Sequence, residues 1–152
     1  MIVKGKPVEL QQLYDEHREL YRLGDELVEA VIAQPLQVCA IVAARRRLSQ
    51  AVLRHMAHEA RIALAPLTAS PDPADQAIAR RYTSDLLAMR QESSGHIGRW
   101  TTSAIEADPA GYLAGTRWLL ERMKARGDWE EAQFLPAAAL CLARGATLRK
   151  AG

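Results

Sequence analysis

The chain has 152 residues, enough for one domain with a real core, and residues 1–152 are read here as a single domain. Hydrophobic residues make up 49% and charged residues 25%, which excludes a disordered chain. A net charge of +2 and a pI near 8.7 are too mild to imply nucleic acid, and no apolar run reaches the length of a membrane span.

Pro7 is expected to open a first helix, which the break at Gln34-Pro35 closes. Its apolar residues Leu10, Leu13, Leu20, Leu27 and Val31 follow a heptad-like step. A second helix is predicted from about Leu36 to Ala65, stopped by Pro66. The stretch TASPDPAD reads as a loop, with Asp72 as N-cap and Pro73 at the first helical position of a third helix. That helix is expected to run to about Glu106. In ADPAG the device repeats, Asp108 capping and Pro109 opening a fourth helix that heads for Arg144, with breaks expected at Gly127 and Pro136. No alternating strand pattern occurs. Four helices with short links predict an all-α fold, an up-down-up-down four-helix bundle. Cys39 and Cys141 sit in apolar stretches without paired spacing, which reads as two buried thiols in a reducing, cytoplasmic setting. The N-terminus lacks the apolar region of a signal peptide.

The informative residues are ionisable groups on inward stripes. Helix 1 places His17 between Leu13 and Leu20. Helix 2 places His55 and Glu59 one turn apart, with His58 on the polar side. Helix 3 carries Tyr82, Asp85, Met89, Glu92 and His96, and helix 4 carries Met123, Gly127, Glu131 and Phe134. Burying unpaired charges is costly, so such groups must pair or share a metal. Imidazole and carboxylate together suit iron, manganese or zinc. A metal-free ion-pair network that Arg126 joins is the alternative. Glu92 precedes Ser93-Ser94-Gly95, a poor helical run that allows it to turn to solvent. Glu131 has a second reading as well: in RGDWEE, Gly127 ends a helix, Asp128 caps the next, and Glu131 closes a capping box. The ARRRLSQ run reads as a solvated face.

LYDEHREL, HMAHE, SSGHIGRW and EEAQFLP, in this order over four helices, resemble the hemerythrin-like (HHE cation-binding) family. The resemblance covers most of the chain. It implies a four-helix bundle with His17 as first ligand, His55 and Glu59 as the second-helix pair, His96 on the third helix and Glu131 as the fourth-helix carboxylate. Glu92 stands where a second third-helix His would be, and Arg126 where a fourth-helix His would be. The implied cofactor is di-iron or a single divalent metal, and the implied role is oxygen, redox or metal sensing. If the site is degenerate, the expectation is a metal-free regulatory bundle acting through a protein partner. A third reading comes from His58, since HEAR followed by a proline resembles the phosphoacceptor helix of histidine kinases. Pro66 lies eight residues on, three too many, and no Gly-rich nucleotide segment follows. No nucleophile–base pair at a recognisable spacing supports enzyme chemistry.

Overall fold

A computed structural model describes residues 8–152, so the opening of the first helix by Pro7 lies outside the described part. The chain is all-helical, with no strand among the described residues. Helix α1 (Val8–Ile32) buries Leu10, Leu13, His17, Leu20, Gly24, Leu27 and Val31, the three- and four-residue spacing of one helical face. Helix α2 (Val38–Glu59) passes through a π-helical turn (Ala60–Leu64) into α3 (Ala65–Ala69).

Pro66 therefore does not stop the second helix. The Ala65 N–H reaches the Ala60 carbonyl, five residues back, so the backbone is already widened where the proline enters without a donor. The last helical run uses the same arrangement. Helix α6 (Pro109–Trp129) passes through a π turn (Glu130–Phe134) into α7 (Leu135–Lys150), the Leu135 N–H bonds the Glu130 carbonyl, and Pro136 follows. The breaks expected at Gly127 and Pro136 do not occur: Gly127 is helical and buried within α6.

Asp72 caps α4 (Pro73–Arg99), accepting from the Ala74 N–H at 2.8 Å. This helix ends at Arg99 and does not continue to Glu106. Trp100 leaves the helix to enter the core, and Thr101 caps a short α5 (Thr102–Ala107). Asp108 then caps α6 through the Gly111 N–H at 2.9 Å. Cys39 is exposed at the start of α2 and not buried, and Cys141 is half-buried with its Sγ near the Pro66 carbonyl.

Ion pairs at opposite ends, Glu9–Arg61 and Glu26–Arg47, set α1 antiparallel to the α2 run. Asp75–Arg144 and Glu92–Arg122 do the same for α4 against the α6–α7 run. Leu120 lies so close to Gly24 that a Cβ there would stand 2.9 Å from Leu120 Cδ2, which fixes the close approach of α1 and α6. The apolar core divides. At one end Leu10, Leu13, Ile62, Tyr82, Phe134 and Leu135 pack together; at the other Val31, Ile41, Trp100, Ile105 and Tyr112 do. Each such buried side chain contributes roughly 1.5–3 kcal/mol. The polar cluster lies between these apolar ends.

Candidate metal centre

Three helical runs supply the cluster. His17 comes from α1, His55 and Glu59 from the end of α2, and Glu130 opens the second π turn. One ligand atom from each lies within 4.8 Å of the others, and all four residues are buried. Both carboxylates stand at π turns. Glu59 is the last α-helical residue before one and Glu130 the first residue of the other, so each widened turn presents its acid to the same interior point.

His17 donates from Nε2 to Glu130 Oε2 at 3.0 Å and from Nδ1 to Glu131 Oε1 at 2.9 Å. Burial alone would lower this imidazole, but Glu130, Glu59 and Glu131 outweigh it and push it up to about 10. His55 Nδ1 donates to Glu16 Oε2 at 2.7 Å. Its Nε2 forms an ion pair with Glu59 Oε1 at 3.1 Å without hydrogen-bonding geometry, and Glu59 Oε1 also lies 3.7 Å from His17 Nε2; neither Nε2 of His55 nor Glu59 Oε1 has a hydrogen bond. Burial opposes ionisation of Glu59, but His17 and His55 hold it well below the usual carboxylate range, and Tyr82 donates its hydroxyl to Oε2 at 2.8 Å. Burial and the neighbouring Glu59 charge raise Glu130, against the pull of His17 and Arg126.

Arg126 points inward. Its Nε lies 2.6 Å from Glu130 Oε1, its guanidinium sits 4.6 Å over the Tyr82 ring, and Nη1 and Nη2 have no hydrogen-bond partner. Gly127 faces the Tyr21 hydroxyl, and a Cβ there would collide with it.

The residues expected at the site divide accordingly. His17, His55 and Glu59 come together. Glu131 touches the cluster only through His17 Nδ1, on the rim, with its side chain 31% exposed. It does not close a capping box, because the helix is unbroken at Gly127 and Asp128 pairs with Lys124. Glu92 does not join: it lies at the surface, paired with Arg122 at 2.7 Å. His96 does not join either, since α4 carries it to the far end of the interior. There it stacks on Tyr112 at 5.5 Å and lies 3.3 Å from Thr116 Oγ1. Asp85 of the same stripe is on the surface beside Arg81. Glu130 takes the place the helix 4 stripe gives to Glu131, and Glu16 is a further residue the stripes omit. The adjacent acids in DWEE and DEHREL are the signals for the two. His58 is half-buried, its Nδ1 2.6 Å from the Glu16 carboxylate that also holds His55. Arg45 departs from the solvated face expected of ARRRLSQ and turns in to donate to the Trp100 carbonyl at 2.9 Å.

Two imidazole nitrogens and two carboxylates within mutual reach form a donor set that can hold one divalent cation once the imidazoles give up their protons. Glu16 behind His55 and Tyr82 behind Glu59 orient the ligating groups. No protein-family model, curated protein or solved structure matches the chain.

Proposed function

We propose that the chain is an up-down-up-down four-helix bundle of the hemerythrin-like class that binds one divalent metal ion through His17, His55, Glu59 and Glu130, and that it acts as a metal or redox sensor. The observation that carries this reading is the facing pair His55 Nε2 and Glu59 Oε1, buried, 3.1 Å apart and without a hydrogen bond. An imidazole nitrogen and a carboxylate oxygen buried face to face in this way are costly unless a shared cation or proton sits between them. Nitrogen and oxygen donors favour ferrous iron, manganese or zinc over softer metals. Arg126 on Glu130, together with the remoteness of Glu92 and His96, supports one ion and not the pair that the family resemblance implies.

Elemental analysis of protein purified without chelator tests this. About one iron, manganese or zinc per chain is expected, lost in Glu59→Ala and His55→Ala variants that remain helical. A chain without metal after incubation with ferrous, manganous and zinc salts overturns it. The Arg126–Glu130 pair and the doubly bonded His17 favour a second reading, a metal-free ion-pair core in a regulatory module. That reading expects no metal, and expects Glu59→Ala to unfold readily.

A further inference from the structure

Helices α1 and α2, and α1 and α6, pack closely, and α4 meets α6, its π turn and α7, whereas α2 and α4 barely touch. On this side the molecule is closed at its ends by α3 against α4 and by α5 against α2. Between them lies a cavity of about 890 Å³, within the size range of small-molecule sites. Residues 45–56 of α2 and 86–97 of α4 form its long walls, a span of roughly 16 Å at the helical rise. Leu48, Val52, Met56, Met89, Leu120 and Met123 line the middle, and the exposed Leu53 and Ile97 also line it. Such walls favour an apolar occupant over water, and three methionines let them adapt to its shape.

The polar residues are placed asymmetrically. Glu59 and Glu130, the only carboxylates of the lining among the described residues, lie at one end in the cluster already described, with His17, His55 and Arg126. At the other end are Arg45, His96 and Thr116. Arg45 spends only Nη1, on the Trp100 carbonyl, and forms no ion pair among the described residues. Burial, with the positive charges of Arg45 and Arg99 beside it, pushes the His96 imidazole down. Arg90 lines the cavity as well and is exposed.

We propose that the slot between α2 and α4 binds a medium-chain aliphatic carboxylate, its head group on Arg45 beside Thr116 and His96 and its tail running between the methionines toward the metal centre. The opposite orientation would set a carboxylate against Glu59 and Glu130, where the one guanidinium, Arg126, is already paired with Glu130. The head-group end does not depend on the metal, because no proposed ligand takes part in holding it.

Isothermal titration calorimetry of the full chain after chelator treatment tests the proposal, with dodecanoate below its micellar concentration, dodecyltrimethylammonium and hexanoate as probes. One dodecanoate per chain is expected, with the ammonium analogue at least about tenfold weaker, as loss of a charge-assisted hydrogen bond implies. Hexanoate, too short to fill the slot, should also bind weakly. Arg45→Met should lower dodecanoate affinity about tenfold or more in a chain that circular dichroism shows to be folded. Ser49→Trp should block the slot; where circular dichroism shows it unfolded, Arg45→Met carries the test. Equal binding of the two twelve-carbon probes, no effect of Arg45→Met, or a folded chain that ignores dodecanoate overturns the proposal. A dimer that ignores dodecanoate would assign the slot to a second copy. Dodecanoate binding by a chain that never takes up metal sinks the metal reading alone, and metal uptake without dodecanoate binding sinks the slot alone.

Discussion

Glu59 is the residue on which the cluster turns, because His17, His55 and Tyr82 all converge on its carboxylate. Glu59→Ala leaves the buried Tyr82 hydroxyl without its acceptor and His55 Nε2 without its counter-charge, so the metal-free variant should lose about 3–5 kcal/mol in a urea melt. A loss below about 1 kcal/mol, the scale of a surface pair, would show that the cluster does not depend on it. Tyr82→Phe removes one hydrogen bond to a charged group and should cost less, about 1.5–3 kcal/mol by the same melt, with metal uptake retained. The His17 imidazolium sets a pH dependence. Its value rises from an ordinary 6.5 to about 10 on folding, so its contribution is complete below about 6.5 and is lost as pH climbs to about 10. The melting temperature of chelator-treated protein should exceed that of His17→Gln by a margin that shrinks over this interval; a margin that grows with pH would contradict the assignment. Metal must displace the same proton, so metal affinity should rise with pH.

At the scale of the elements, the two π turns are what bring the acids to one point, and they were the least legible part of the sequence. Hydrophobic spacing of 3.6 residues located the faces of α1 and α2 and with them His17, His55 and Glu59. The Asp-Pro pairs located the caps at Asp72 and Asp108, whose short side chains accept from the amides of Ala74 and Gly111. A constant period cannot register an inserted π turn, so the stripe in α6 selected Glu131 when Glu130 is the buried acid. On α4 the stripe held for Tyr82 but carried Glu92 to the surface and His96 away from the cluster. That helix has no fully buried residue between Tyr82 and its end, because it borders the open slot. The resemblance of motifs placed Arg126 at the site, and only geometry gave Glu130 as its partner. Arg126 and a metal compete for that carboxylate. Arg126→Met should therefore raise affinity for cobalt while lowering the stability of the metal-free chain, and unchanged affinity would remove Arg126 from the site. Gly127 is required where α6 crosses the Tyr21 hydroxyl. Gly127→Ala should cost about 1–3 kcal/mol in a denaturant melt through overpacking, and the Tyr21→Phe background should recover part of it. A stabilised Gly127→Ala variant would mean that helix propensity outweighs the clash.

Across the whole molecule, two apolar ends hold a polar middle in place. The leucine, aromatic and isoleucine clusters supply the stability that allows four ionisable groups to be buried between them. Composition and periodicity disclosed that division only as an all-helical chain with charges on its inner faces. They could not disclose the open side between α2 and α4, because the absence of packing leaves no period to read. The account stands or falls on whether the middle is a cation site. The most direct measurement is a titration of the chelator-treated chain with cobalt(II), followed by visible absorption and repeated with His55→Ala. The account predicts saturation at one cobalt per chain, with absorption bands that are absent from His55→Ala. No uptake by the folded parent chain, or two cobalts per chain bound equally by His55→Ala, would contradict it.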